Sequence, residues 1–145
     1  MKNFICGAVL LLIACGCAHT STLEWTKPAP GQRSAEGNPV VWNVYAVNRG
    51  MYLFNLIPIW SGYSSRPNRH DYLLGQHTLT RGQMRRMLEL NLDKWGADRI
   101  EDVEISSSSS GAFTLWIIWR RTMQARGVAV KNVPYGKKTE TELTK

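Results

Sequence analysis

The sequence predicts an α+β fold, a small antiparallel sheet of four to five strands with one helix packed on one face. Runs of β-branched and aromatic residues, typical of strands, occur both before and after the middle of the chain. Between them lies one stretch whose apolar residues recur at helical spacing. The predicted order is strand, strand, helix, strand, strand, with a short further strand near the end. A single helix covers one face of such a sheet.

Residues 40–47 and 51–57 are the first two predicted strands, because both are rich in Val, Ile and aromatic side chains. The Asn-Arg-Gly at residues 48–50 is typical of a three-residue hairpin loop, which makes the two strands a hairpin. Pro58 has no backbone N–H, so we expect the second strand to end there or to lie at an edge or bulge. Residues 61–74 follow as a polar loop.

The helix is predicted from its start signal and its apolar stripe. Thr80 and Gln83 form a capping box, in which the hydroxyl accepts from a first-turn N–H and the glutamine side chain reaches back. Gly96 is placed to end the helix. The stripe that must be buried consists of Met84, Met87, Leu88, Leu92 and Trp95.

Two or three further strands are predicted after the helix. Residues 99–105 alternate between apolar and acidic side chains, as a half-buried strand does. Residues 106–111 form a serine-rich connection. Residues 112–119 are nearly all apolar, which favours a central strand, and residues 126–131 form a short last strand.

The N-terminus carries the signature of export. Lys2 precedes an uncharged stretch, residues 4–14, which has the length of a secretory apolar region and is shorter than the roughly 20 residues that span a membrane. Cys15 follows directly, preceded by Leu-Ile-Ala. This resembles the lipobox of bacterial lipoproteins, in which the cysteine is lipidated and becomes the new N-terminus. A plain cleavable signal peptide and an uncleaved anchor are the alternatives, and the cysteine favours the lipoprotein.

The resemblance implies lipidation of Cys15, with Cys17 as the alternative because its preceding residues fit the pattern less well. Cys6 leaves with the signal peptide, so the mature chain has no pair of thiols for an internal disulfide. Stable anchoring takes more than one acyl chain, which bacterial lipoproteins carry. Gly16, where an inner-membrane lipoprotein has Asp, resembles the pattern of outer-membrane lipoproteins. We expect the domain to face the periplasm there.

These features predict four regions. Residues 1–14 are the lipoprotein signal peptide, and residues 15–39, rich in Pro, Gly, Ser and Thr, are a flexible lipid-anchored tether. Residues 40–133 are the α+β domain. Residues 134–145 are a polar tail.

The chain carries 18 basic and 11 acidic residues, a formal charge of +7. Loss of Lys2 with the signal leaves 17 against 11, or +6. The basic residues are spread along the chain, and an exported protein does not meet nucleic acid, so no nucleic-acid partner is predicted. A mildly basic surface is also compatible with anionic lipid headgroups.

Two segments resemble known families. Residues 48–62, with the sequence NRGMYLFNLIPIWSG, resemble a segment of small bacterial envelope lipoproteins, where it also follows the signal and tether. Gly96-Ala97-Asp98 after a helix, with residues 127–130 in a late strand, resembles the small α+β domains of the YbjQ type. Neither resemblance implies catalytic residues.

The chain has few side chains that could bind a metal or take part in catalysis. His70 and His77 are weak candidates for a metal site or for a small hydrolase, and no cysteine or carboxylate cluster completes a zinc set around them. The five serines at residues 106–110 do not form a nucleophile elbow. No metal, cofactor or enzymatic activity is therefore predicted. The alternatives are a sensor of a small ligand or metal in a cleft beside the helix and, less favoured, a hydrolase.

Tryptophans suggest where a partner binds. Trp60, Trp116 and Trp119 are the candidate interaction surface, because Trp116 and Trp119 face opposite sides of a strand and the helix covers one side only. A partner protein, a lipid surface, a second copy or the 61–74 loop can cover the other side. The expected function is that of a lipid-anchored, non-enzymatic binding or assembly module, with an envelope protein or itself as partner.

Overall fold

The computed structural model describes residues 20–111 and 117–131. In these ranges the protein is mostly antiparallel sheet with one α-helix, which confirms the predicted fold class in its coarse form. The sheet has six strands, not four to five, and four of them precede the helix. The elements are β1 (Ser21–Thr26), β2 (Val40–Leu53), β3 (Ile57–Gly62), β4 (Tyr72–Leu74), α1 (Arg81–Leu88), β5 (Arg99–Ser110) and β6 (Ile118–Val130).

Strand β2 is the centre of the sheet, whose order is β4-β3-β2-β6-β5. One edge of β2 pairs with β6 along nearly its whole length. The other edge is shared, because β1 pairs with residues 43–48 and β3 with residues 50–53. The two shorter strands therefore lie end to end beside one long strand.

The predicted hairpin turn at residues 48–50 is wrong, because β2 runs straight through it. Asn48 and Gly50 are both buried in the strand. At Gly50 the missing side chain leaves room for its neighbours, since a Cβ there would lie 2.9 Å from the Trp60 carbonyl oxygen. The turn comes later, where the Leu56 N–H donates to the Leu53 carbonyl at 3.0 Å.

The prediction for Pro58 is confirmed. The register between β2 and β3 shifts after Met51, so that Met51 lies opposite Trp60 and the next residue, Tyr52, lies opposite Pro58. Ile59 is thus the extra residue of a bulge, the kind of position in a sheet that tolerates proline.

The helix begins as predicted and ends early. The Thr80 hydroxyl accepts from the Gln83 N–H at 3.3 Å, and α1 buries Met84, Met87 and Leu88 against the sheet. It ends at Leu88, so Leu92 and Trp95 are not on it. The chain turns at Asn91, whose φ is +64°, and a short 3₁₀ turn (Asp93–Trp95) ends at Gly96 in the left-handed conformation.

The serine-rich segment is strand, not connection, since residues 106–110 pair with residues 120–124 of β6. The separately predicted last strand at residues 126–131 is the continuation of β6. Gly127 allows this, because a Cβ there would lie 2.7 Å from Ile100 Cγ2. The predicted strand at residues 112–119 falls largely on 112–116, which lie outside the described residues.

The predicted tether is wrong for Ser21–Thr26, which forms β1 and buries Leu23 in the core. The outer edge of β1 is paired by a side chain. The Leu23 N–H donates to Asn68 Oδ1 at 2.9 Å, and Asn68 Nδ2 donates back to the Leu23 carbonyl at 2.8 Å. The carboxamide of Asn68 thus substitutes for a neighbouring strand.

The loop at residues 27–39 is also held to the domain. Asn38 Nδ2 donates to Glu101 Oε1 at 2.9 Å, and Arg99 forms ion pairs with Glu101 and with Glu36, the latter at 3.0 Å. Residues 20–39 are therefore part of the folded domain, which does not start at residue 40.

Three tryptophans fasten the start of the sheet to the turn after the helix. The rings of Trp25 and Trp95 stack with centroids 5.4 Å apart, and Trp42 meets Trp95 edge-on at 4.9 Å. Trp42 Nε1 also donates to the Trp95 carbonyl at 3.1 Å. Trp95 is partly buried against the core, in agreement with its predicted role as an anchor.

Gly62→Ala should destabilise the protein, because a Cβ at Gly62 would lie 2.6 Å from the Thr20 carbonyl oxygen where β1 and β3 meet. We expect a loss of about 2 kcal/mol in the free energy of unfolding, measured by urea denaturation. Gly82→Ala is the control, since nothing lies within 4 Å of its Cβ and alanine favours the helix. Equal losses of unfolding free energy for the two substitutions would contradict the close approach of Gly62 to Thr20.

Glu101 should make stability pH-dependent. Burial raises the pKa of its carboxyl, but hydrogen bonds from Ser34, Asn38 and Arg99 and the Arg99 charge outweigh it, so the pKa lies below the usual value. A lowered pKa stabilises the fold above the usual Glu range, and that contribution disappears as the pH falls through the lowered pKa. Glu101→Gln should reduce the decline in unfolding free energy between neutral and acidic pH. An unchanged decline would assign it to other carboxylates.

Candidate interaction surface

Exposed apolar side chains concentrate at one end of the sheet. Of the eight large hydrophobic residues that are exposed in the described ranges, seven belong to the β2–β3 turn, to β3 and β4, and to the start of β6; Tyr45 is the exception. We call this surface the apolar end. Its members are Phe54, Leu56, Ile57, Ile59, Tyr72, Leu74 and Ile117, together with the half-buried Trp60.

The outermost part of the apolar end is the β2–β3 turn. Phe54 is 57% and Leu56 78% exposed. Phe54 and Asn55 have φ values of +48° and +59°, a conformation that is costly for a residue as bulky as phenylalanine. Positive φ at both central residues is what a type I′ hairpin turn requires, and here it leaves the Phe54 ring in solvent.

Arg121 fixes the shape of this turn. Its Nε donates to Asn55 Oδ1 at 2.6 Å and one terminal nitrogen donates to the Asn55 carbonyl at 2.5 Å. The same guanidinium lies 4.8 Å from the centre of the Tyr52 ring, a cation–π distance. The turn is therefore held in a defined shape by contacts within the chain.

A second part of the apolar end lies on the face of the sheet away from α1. Residues directly opposite each other on paired strands share a face, and Leu74, Trp60, Met51 and Arg120 form one such row across four strands. The rings of Trp60 and Tyr72 lie 6.4 Å apart. The helix contacts β2, β5 and β6 from the opposite face.

The three predicted surface tryptophans have different positions. Trp60 lies in the apolar end. Trp119 is half-buried and packs against the core, so it is an anchor on the helix side. Trp116 lies outside the described residues. The 61–74 segment does not act as a covering loop, since it adds β4 to the edge of the sheet and pairs with β1 through Asn68.

The sequence does not indicate the β2–β3 turn, because the run from Leu53 to Ile57 is apolar except for Asn55 and resembles a buried strand. Asn55 was the available signal, since asparagine tolerates positive φ and is common in turns. Phe54 and Leu56 are exposed because they lie in this turn.

Buried polar side chains form a hydrogen-bonded cluster next to the apolar end. Asn48 is fully buried, and its Nδ2 lies 3.3 Å from the Thr78 hydroxyl. The Thr78 hydroxyl lies 2.7 Å from both the Ser61 hydroxyl and the Gly62 carbonyl, and Ser61 donates to the Gln76 carbonyl at 2.7 Å. We call these side chains the junction network. It joins β2, β3 and the segment before the helix.

The two histidines that were candidates for chemistry lie in different settings. His77 Nδ1 is 2.6 Å from the Tyr52 hydroxyl, and their rings meet edge-on. Burial raises the pKa of Tyr52 and the nearby Arg121 charge offsets part of this, so the hydroxyl stays neutral. His70 lines a separate open groove of about 540 Å³ with Tyr63, Arg66 and Asp71. Within the described residues, no three His, Cys, Asp or Glu side chains are grouped to hold a metal ion.

A second open groove, of about 360 Å³, lies beside the turn after the helix. Its walls include Trp25, Trp95, Arg66 and Arg69. Its lining comes from β1, from residues 65–69 and from residues after the helix, and not from the helix itself, so the ligand cleft expected beside the helix stays a prediction.

Charge is segregated along the strands. The segments that build the apolar end, residues 49–62, 72–80 and 117–122, contain no Asp or Glu. The acidic residues of β5, Glu101, Asp102 and Glu104, are at the opposite end of the sheet. Asp71, just before β4, is the acidic residue that borders the apolar end.

Comparison with known proteins assigns no family to this chain, so the geometry described above is the basis for proposing a function. Searches found no matching family model, curated protein or solved structure. In the described part of the chain, no helix is long and apolar enough to cross a membrane.

Asn55 should be required for the shape of the turn. Asn55→Ala removes the Oδ1 acceptor of Arg121 and places alanine at positive φ, so we expect a loss of about 1–2 kcal/mol in unfolding free energy. Asn55→Gly removes the same acceptor but suits the backbone, and should cost less. Urea denaturation compares the two, and identical losses would contradict a contribution from backbone strain.

Proposed function

We propose that this chain is a lipid-anchored protein of the bacterial cell envelope and acts as a non-enzymatic binding module. The anchor is assigned from Leu-Ile-Ala-Cys15 and the apolar stretch before it. The binding surface is assigned from the apolar end of the sheet.

The concentration of exposed apolar side chains at one end carries the binding part of this proposal. Exposed hydrophobic residues scattered singly are normal on soluble domains, whereas a contiguous group marks a site of interaction. Leu56 and Leu74 are 78% and 68% exposed, yet neither is needed to fill the core, which forms around α1. Burying these side chains against an external partner would therefore contribute hydrophobic free energy to binding.

The chemistry of the surface supports binding without a cofactor. Its members are apolar or aromatic, with Arg120 and Arg121 beside them, and such a surface gains free energy by losing contact with water. A hydrolase with His77 as base is less favoured, because the partner of its Nδ1, at 2.6 Å, is the Tyr52 hydroxyl and not a carboxylate that would stabilise an imidazolium.

The proposed location follows from the residue after the lipidated cysteine. Gly16 is compatible with transfer to the outer membrane, with the domain on the periplasmic side. The expected partners are a component of the envelope or a second copy of the chain.

Lipidation should depend on Cys15. In the wild-type protein, mass spectrometry of the N-terminal peptide should show acyl chains on Cys15, and the protein should fractionate with membranes. Cys15→Ala should lose the acyl chains and membrane retention, whereas the matched variant Cys17→Ala should keep both. Acyl chains on Cys17, or an unmodified peptide from wild-type membranes, would contradict the assignment.

A further inference from the structure

We propose that the apolar end docks onto the lipid bilayer that carries the anchor, so that the domain lies against the membrane surface. This inference rests on the proposed function, since it requires an acyl chain at the N-terminus. It specifies what covers the apolar end, namely lipid and not a second protein.

The distance between the anchor and the fold is short. Strand β1 begins at Ser21, so six peptide units separate it from Cys15. Fully extended, these span at most about 20 Å. The predicted tether would have let the domain stand well away from the membrane, but the structure places residues 21–26 in the sheet.

The apolar end lies within that reach. Ser21 is paired with Asn48 on β2, and β2 continues for five residues from there to Leu53 at the start of the turn. Five strand residues extend about 17 Å. An anchor at Cys15 can therefore reach the same level as the β2–β3 turn. Lipidation at Cys17 would leave only four peptide units, or about 14 Å, between the lipid and β1, so the turn would lie deeper in the bilayer.

The sequence of residue types from the turn inward fits the layers of a bilayer surface. Phe54, Leu56 and Ile57 are outermost and apolar. Trp60 lies three residues further along β3, about 10 Å from Ile57, and is next to Tyr72. Tryptophan and tyrosine are enriched at the level of lipid headgroups, and interfacial segments insert about 5–10 Å.

The charges at this end fit an anionic lipid surface. Arg120 is exposed in the row with Trp60 and Met51, and Arg49 is half-buried nearby on β2. Arg121, although bound to Asn55, adds a third positive charge. The acidic residues of β5 lie at the far end of the sheet. At that distance their repulsion by an anionic membrane surface is screened by salt. Among the residues that the structure describes, Asp71 is the carboxylate at the border of the contact.

The test is the accessibility of a thiol placed at the turn of the full-length protein. The reporter is Leu56→Cys, and the matched control is Ser106→Cys, an exposed and nearly isosteric site on β5. Both are made with Cys17→Ser, so that the reporter is the unmodified thiol of the mature chain. Each protein is purified from membranes, reconstituted into vesicles of phosphatidylethanolamine and phosphatidylglycerol, and treated with a water-soluble maleimide.

Docking should make the thiol at position 56 react about tenfold more slowly than the thiol at position 106 in the same vesicles. Adding Phe54→Asp to the reporter should restore fast reaction, because a carboxylate at the turn opposes insertion; Asp also tolerates the positive φ. Vesicles of phosphatidylcholine alone should give weaker protection, since they lack the anionic headgroups.

Three results would overturn the inference. Equal reaction rates at positions 56 and 106 would show a domain that stands away from the bilayer. Disulfide-linked dimers through position 56 would make a second copy the occupant. Protection that survives Phe54→Asp would show that the apolar turn is not its cause. Mass spectrometry of the same samples separates the two proposals: an N-terminus without acyl chains refutes the anchor, whereas an acylated protein with a reactive thiol refutes only the docking.

Discussion

The rest of the structure depends on how one edge of β2 is divided between two strands. β1 and β3 meet end to end beside Asn48, and a sheet edge shared in this way leaves backbone and side-chain polar groups buried at the junction. The Thr78 hydroxyl lies within hydrogen-bond distance of Asn48 Nδ2 and the Gly62 carbonyl, and the Ser61 hydroxyl donates to the Gln76 carbonyl. Gly62 permits the approach because no side chain separates it from Thr20. A larger residue at this point would separate the two strands.

The short helix explains why part of the sheet is left without cover. The helix α1 has eight residues and is about 12 Å long, whereas the fourteen residues of β2 extend about 46 Å. The helix therefore covers only part of one face. The far end of β2, with β3 and β4, extends beyond it and carries exposed apolar side chains. The mismatch in length between one short helix and one long strand leaves the β2–β3 turn beyond the helix, whereas Trp60 and Leu74 are uncovered because they lie on the face away from α1.

Local signals in the sequence were reliable where the interaction that produced them is itself local. Thr80 caps the helix through a contact three residues away, and Pro58 lies in a bulge because it lacks an N–H. The turn predicted at residues 48–50 failed because Asn48 is held by Thr78, thirty residues further on. The tether failed for Ser21–Thr26 because this segment pairs with residues 43–48 of β2, and Asn68 adds two hydrogen bonds to its other edge at Leu23.

The sequence by itself determined the fold class, the start of the helix, the position of the bulge and the predicted export signal with Cys15. These depend on periodicity, capping and the properties of single residues. Only the tertiary structure decided that β2 is continuous, that residues 21–26 belong to the sheet and that Phe54 and Leu56 are exposed. The physical reason is that strand pairing and burial are set by partners far along the chain. An apolar run carries no local sign of which of its residues will find such partners.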